Sequence, residues 1–336
     1  MKKIRIGHLG TYHDHSSGML ETVRKYPDIF EVVGYVPESE ERYRQIKDTA
    51  PYRGLQVMTE AELLAAGCDA IEVEGYELDL VRAARKCVDR GIHVHIDKPA
   101  GADVEEFASM LKTAKAKNLT VQMSYMYRYN PSIKEALRRA RSGQMGQIYE
   151  VDAIMNTHHT PEKREWMKPF PGGIMFFLGC HMVDLIYLFK GMPENIIALN
   201  RCSGIDGVTA IDQGCAIFEY RDGVSTARAN STEVGGYGRR QLVICGSLAT
   251  YEIKPLERPT RTFYTDTSYS KAYEYCCREL SFPDFGRYDE MMLEFARCVN
   301  GEMTNPFSYE YELNMHKLVM KACGVDVKDP YTPSVL

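Results

Sequence analysis

The sequence predicts an α/β chain of two domains. Residues 1–125 read as a doubly wound parallel sheet, and residues 126–336 as an α+β domain with a large, mostly antiparallel sheet. Three observations carry this. Short β-branched runs alternate with helical patterns through the first third of the chain, the rhythm of β-α-β units. The composition changes after Met123, where Ser124-Tyr125-Met126-Tyr127-Arg128-Tyr129 is rich in aromatics. From Gln147 onward, strand-like stretches follow one another, with a hairpin signal at Arg221-Asp222-Gly223. At 336 residues the chain is long enough for two cores.

Ile4-Arg5-Ile6-Gly7-His8-Leu9-Gly10 reads as the first strand, running through Thr11-Tyr12-His13-Asp14-His15 into a helix that includes Leu20 and Val23. Residues 30–36 form a second strand that ends at Pro37-Glu38, and a helix through Arg44 and Ile46 follows. Thr59 suits an N-cap, with Glu60 and Glu62 favourable at the positive end of the next helix. Asp69-Ala70-Ile71-Glu72-Val73-Glu74 is a further strand, after which Gly75-Tyr76 turns toward a helix over residues 82–90. Gly91-Ile92-His93-Val94-His95-Ile96 alternates β-branched residues with histidines over too few positions for a helix. Pro99 cannot donate to a ladder and biases Lys98 toward extended backbone, so this strand ends at Lys98. A helix over 104–117 and a strand over 119–123 close the sheet. Ligands of such sheets bind beyond the carboxyl ends of the strands, so Lys98 is expected to project into that crevice.

In the second domain, Asn130-Pro131 supplies an N-cap followed by proline at the first helical position, leading a basic helix to Arg141. Strands are expected over 147–157, 196–202, 212–220, 224–231, 239–245 and 250–253. Residues 174–189, after the paired Gly172-Gly173, read as one buried apolar helix carrying His181 and Asp184. Residues 255–284 lack periodicity and are expected to form a long surface loop. His158-His159 reads as a surface feature. Helices over 287–299 and 309–322 close the chain.

Lys and Arg total 41 against 46 Asp and Glu, a net charge of −5, which leaves no electrostatic footprint for nucleic acid. The most apolar stretch is too short to span a bilayer comfortably, so no membrane partner is expected. The start, Met1-Lys2-Lys3-Ile4-Arg5-Ile6, lacks the apolar run of a signal peptide. Ten cysteines without a Cys-x-x-Cys pair read as reduced thiols of a cytoplasmic protein.

A nucleotide would sit first at the turn after Leu9. The dinucleotide fingerprint wants Gly-x-Gly-x-x-Gly there, because bare backbone approaches a pyrophosphate at a helix N-terminus. Here the turn keeps Gly10 and Thr11, but Tyr12 and His15 replace the second and third glycines. Pro37 stands where the ribose-binding acid is usual, with Glu38 immediately after. The architecture favours a dinucleotide, while the local chemistry departs from a standard grip. His13, His15, Glu74, Asp97 and Lys98 are expected near one sheet edge. Such a cluster suits either a divalent ion or a solvated polar rim, and no metal is assigned.

Taken together these motifs resemble the glucose–fructose oxidoreductase / inositol dehydrogenase (Gfo/Idh/MocA) family over nearly the whole chain. Asp97-Lys98-Pro99 matches its Glu-Lys-Pro, and Gln122 with Arg128-Tyr129-Asn130-Pro131 matches the segment closing its Rossmann domain. Gly172-Gly173 through Gly179, with His181 and Asp184, matches its substrate-helix motif. The resemblance implies a Rossmann domain followed by an open-faced α+β domain. It also implies NAD(P)-dependent oxidation or reduction of a sugar, polyol or related compound, in homodimers or homotetramers. Lys98 would hydrogen-bond the reacting hydroxyl, and His181 would exchange its proton. Tyr125 and Asp184 are expected to join them at the substrate, and Gly10, Thr11, Tyr12, Glu38, Gly75, Tyr76, Asp97 and Lys98 to hold the cofactor. The family's aspartate four residues before the histidine is Phe177 here, and its Thr-Pro-Asn is Gly75-Tyr76-Glu77. The acidic run Glu38-Ser39-Glu40-Glu41 should repel a 2′-phosphate, which favours NAD while leaving NADP open. Two alternatives remain: a lyase or isomerase using a retained NAD transiently, and a non-catalytic relative binding a sugar-like ligand.

Overall fold

The computed structural model describes residues 2–271, 273–274 and 276–327. The chain divides into two compact units. Among the described residues, one comprises those up to Met126 together with Arg287–His316, the other those of Tyr127–Gly286 and those from Lys317 to Val327.

The first unit opens β1 (Ile4–Leu9), α1 (Ser16–Arg24), β2 (Phe30–Val36), α2 (Glu40–Ile46) and α3 (Glu60–Ala65). It continues β3 (Ala70–Val73), α4 (Leu80–Asp89), β4 (His93–Ile96), α5 (Val104–Ala116) and β5 (Val121–Met123). The strands form a parallel sheet in the order β2-β1-β3-β4-β5, so the order reverses between β1 and β3. That switch point is where an open α/β sheet leaves room for a ligand. Thr59 caps α3 as expected, its side chain and that of Glu62 reciprocating in a capping box.

The sheet interior is apolar except along one row. His8, Glu72, His95 and Gln122 stand opposite one another on neighbouring strands, all buried. His8 Nδ1 lies 2.9 Å from the Glu72 carboxylate and its Nε2 lies 2.8 Å from the Ser16 hydroxyl, which ties the row to the first turn of α1. Gln122 donates to the Met291 carbonyl at 3.3 Å. Because side chains alternate along a strand, Glu74 and Asp97 leave the sheet on the same face as Glu72 and His95.

The second unit contains α6 (Pro131–Arg141), β6 (Ile148–Ile154), α7 (Pro161–Trp166), α8 (Cys180–Lys190), β7 (Asn195–Ala198), β8 (Gln213–Tyr220) and β9 (Gly223–Asn230). It goes on with β10 (Gln241–Gly246), β11 (Ala249–Ile253), β12 (Thr262–Asp266) and β13 (Arg278–Leu280). Among the described residues these form an eight-stranded sheet in the order β13-β12-β11-β10-β6-β9-β8-β7, antiparallel except for the β6–β9 pair. Phe218, Ser225, Val151, Ile244, Tyr251 and Tyr264 form a buried row across it, and α8 packs against β6 and β9. Two expectations are corrected here. Residues 255–284 are not a bare loop, because β12 and β13 extend the sheet within them. The alternation that marks β12 covers only five residues, and its outward Phe263 lies under the Arg261 guanidinium. The apolar helix also begins differently: Met175–Gly179 forms a wider π-helical turn before α8.

α9 (Asp289–Val299) and α10 (Tyr309–Ala322) end the described chain. The sequence alone places α9 in the second domain; it packs in the first unit. Tyr26 donates to Asp289 at 2.8 Å, and the Phe295 ring stands edge-on to His95. No helix among the described residues is long and apolar enough to cross a membrane.

Candidate active site

The turn after β1 is built around Gly10, whose φ of +91° suits glycine. A Cβ there would lie 2.5 Å from the Gly75 backbone, so the turns after β1 and β3 touch. Glu38, one residue beyond Pro37, clasps this turn. Its carboxylate accepts the N–H groups of Thr11 and Tyr12 at 2.6 and 2.9 Å and the Thr11 hydroxyl at 2.7 Å. Arg42 reaches the same place, donating to the Thr11 carbonyl and hydroxyl, with its guanidinium 5.7 Å from the Tyr12 ring centroid. Tyr12 itself is 52% exposed. Gly75 and Tyr76 are half-buried beside the clasp.

At the N-terminus of α1 stand His13, His15 and Asp97. Asp97 Oδ2 lies 2.6 Å from His13 Nδ1 and 3.1 Å from His15 Nδ1, while its Oδ1 accepts the Lys98 N–H at 2.6 Å. The Tyr288 ring lies 5.7 Å from that of His15. Burial by itself would raise the Asp97 carboxyl; the imidazoles of His13 and His15 beside it outweigh that and hold it well below the usual carboxylate range. Burial lowers His15 to about 4 against the pull of Asp97. Burial, and then the Asp97 charge, push Glu74 well up. Lys98 is buried, where a projection into an open crevice was expected. Tyr125 is also fully buried, just past β5.

In the second unit, His181 lies buried on α8 with the Tyr127 ring edge-on at 5.2 Å. Tyr127 donates to Glu257 at 2.9 Å, and Arg240 approaches the same carboxylate at 3.3 Å. One turn before His181, Phe177 joins Trp166 and Phe170, with the Lys163 ammonium 4.8 Å from its ring centroid. An aromatic cluster thus fills the place of the family's aspartate. Asp184, expected at the substrate, turns to Arg128 instead: Nε reaches both oxygens at 3.0 Å and a terminal nitrogen reaches Oδ1 at 2.6 Å. Burial raises the Asp184 carboxyl, and Arg128 opposes it.

The expected cofactor residues Gly10, Thr11, Tyr12, Glu38, Gly75, Tyr76, Asp97 and Lys98 all fall in the first unit, with Tyr125; His181 and Asp184 fall in the second. Reading the sequence did not single out Arg42 or Tyr288. Arg42 closes an acidic run and follows the α2 N-cap Ser39 by three residues, a signal that placed it but did not aim it. Tyr288 is remote in sequence and carried none.

Two family models match the chain. "Oxidoreductase family, NAD-binding Rossmann fold" covers residues 4–125, and "GFO/IDH/MocA C-terminal domain" covers residues 133–252. The chain belongs to the Gfo/Idh/MocA oxidoreductase family. A D-xylose 1-dehydrogenase (NADP(+)) from Haloferax volcanii is 29% identical over 179 residues, 52% of this chain and 53% of that protein. A UDP-N-acetylglucosamine 3-dehydrogenase from Acidithiobacillus ferrooxidans is 26% identical over 140 residues, 42% of this chain and 41% of that one. The chain thus spans about half the length, or less, of these relatives. The WlbA dehydrogenase from Bordetella pertussis, solved with NADH and UDP-GlcNAcA, superposes with a TM-score of 0.79 at 17% identity, covering 96% of this chain and 94% of that one. An oxidoreductase from Thermotoga maritima gives 0.78 at 18% identity, covering 96% of each chain. At such identities the likeness shows the fold alone.

The Rossmann domain of this family binds NAD(P). In the turn after β1 the Thr11 and Tyr12 N–H groups converge on one oxygen, which here is Oε1 of Glu38. A Cβ on Gly75 would find only Glu38 Oε1 within 4 Å, at 3.8 Å. The departure lies at the α1 N-terminus, where imidazoles and a carboxylate stand at the end usually left to a pyrophosphate.

Proposed function

We propose that the chain is an NAD(P)-dependent oxidoreductase acting on a hydroxyl or keto group of a sugar, polyol or related compound. The match of both family models, one to each half of the fold, carries this reading. The sequence relatives support the substrate class, since one is named for D-xylose and another for UDP-N-acetylglucosamine. The nicotinamide supplies the hydride acceptor or donor. Gly10, Thr11, Tyr12, Glu38, Gly75 and Tyr76 would hold the dinucleotide, with Glu38 turned to the adenosine ribose. Lys98 would hydrogen-bond the reacting oxygen and ease its proton loss, and His181 would take or return that proton. Phe177 stands where the family has a carboxylate, and the Tyr127 ring packs edge-on against the imidazole. Glu38 favours NAD; Arg42, bonded to the same turn, is the group that would admit a 2′-phosphate. Assembly would use the outer face of the eight-stranded sheet, on which Ile197 and Val224 are exposed.

The test is a panel of aldoses, polyols and nucleotide sugars with NAD and with NADP, followed by the absorbance of the reduced nicotinamide. Lys98→Ala should lower kcat by on the order of a hundredfold or more, with circular dichroism showing that the variant folds. Retention of more than about a tenth of kcat removes Lys98 from the chemistry. No turnover by the parent on the whole panel, and no dinucleotide bound, would favour a non-catalytic relative.

A further inference from the structure

The cluster at the N-terminus of α1 is built of metal-ligating groups. His13, His15 and Asp97 each offer one ligand atom, and these atoms lie within 4.8 Å of one another. Nitrogen and oxygen ligands held about 2.0–2.2 Å from a tetrahedral ion stand about 3.4 Å apart, so small side-chain rotations would suffice. His15 Nδ1 and Asp97 Oδ1 share a hydrogen bond at 3.3 Å, but the contacts of Oδ2 are poor as hydrogen bonds. Asp97 Oδ2 lies 2.6 and 3.1 Å from two imidazole nitrogens, yet no aligned hydrogen bond reaches it. His13 Nδ1 already accepts the His15 N–H at 3.2 Å, so its lone pair faces the carboxylate's side of the ring. Two acceptors that close repel each other unless a proton or a cation stands between them.

A second observation comes from another strand. Glu74, at the end of β3, is fully buried, and neither of its carboxylate oxygens finds a hydrogen-bond donor among the described residues. It leaves the sheet on the same face as Asp97. His13 Nε2 also lacks a donor or acceptor, and the Glu77 carboxylate stands 3.6 Å from it. Asp97, Glu74 and Glu77 thus outnumber Lys98 at this edge. A buried polar group without a partner is costly, and the Glu74 carboxylate and Asp97 Oδ2 are such groups at the same sheet edge.

We propose that His13, His15 and Asp97 bind a divalent first-row transition cation at the carboxyl edge of the parallel sheet, on the face where Glu74 also leaves it. Imidazole and carboxylate together suit zinc, iron, manganese or cobalt, and the half-buried His15 leaves a path for entry. The inference is independent of the redox reading, because the cation is measured with no dinucleotide or substrate present.

Chelator-treated full-length protein is titrated with Zn(II) by calorimetry and with Co(II) by visible absorption. The expected result is one ion per chain, with ligand-field bands of a nitrogen- and oxygen-ligated site and a rise in Tm on zinc addition. His15→Ala and the near-isosteric Asp97→Asn should each weaken binding more than about 100-fold, beyond the 10–100-fold typical of losing an outer-shell partner. Circular dichroism of the metal-free variants shows whether they fold. If one does not, the other variant and the cobalt spectrum of the parent still decide. No uptake by the parent would mean that a proton, not a cation, bridges the cluster, and would overturn the proposal. Uptake that survives both substitutions would be surface binding, and would overturn it equally.

Discussion

Asp184→Ala should destabilise the protein rather than weaken substrate binding. Both side chains of the Arg128–Asp184 pair are 1% exposed, and three N···O contacts of 2.6 to 3.0 Å join them. Removing the carboxylate leaves a guanidinium buried without its counter-charge, which costs about 3–5 kcal/mol in comparable sites. Arg128→Met combined with Asp184→Leu should cost less than Asp184→Ala alone, because no charge is then stranded. Urea unfolding of the three proteins, read by fluorescence and by circular dichroism, measures both differences. Steady-state kinetics at a temperature where Asp184→Ala stays folded completes the assay, with KM expected near that of the parent. A loss of stability below about 1 kcal/mol would show the pair to be worth no more than a surface bridge. If KM then rose with kcat unchanged, Asp184 would be a substrate contact after all, and its reading as a purely structural partner of Arg128 would fall.

His316 predicts an acid limit to stability. It is fully buried against Phe107, and burial alone lowers it from the ordinary 6.5 to about 4. Below 6.5 the unfolded chain takes up a proton that the folded protein refuses until about pH 4, so this contribution is full above 6.5 and lost as pH falls through the window. The ceiling is about 3 kcal/mol, and His316→Leu should flatten the dependence of the urea midpoint between pH 7 and pH 5; an unchanged slope would refute it. Tyr12→Gly tests the cofactor turn. If the half-exposed ring packs on the dinucleotide, calorimetry should show NAD binding weakened several-fold, about 1 kcal/mol, whereas tighter binding would mean that the ring blocks the site.

What was legible in the sequence follows the range of the forces involved. The parallel sheet could be read because strand, turn and helix signals are local, and the placing of His13, His15, Glu74 and Asp97 at one edge follows from strand order alone. Period-two alternation even put Glu72 with Glu74, and His95 with Asp97, on one face. What each group does there could not be read, because that depends on partners brought by tertiary packing. Glu38 lies 27 residues from the Thr11 amide it clasps, and Arg128 lies 56 from Asp184. Lys98 was expected in an open crevice because ligands of such sheets bind beyond the carboxyl ends of the strands; here packing closes over it. One helical turn before His181, Trp166, Phe170 and Phe177 form an aromatic cluster with the Lys163 ammonium over the Phe177 ring, so the position that is an aspartate in the family is filled here by packing that no local pattern announced.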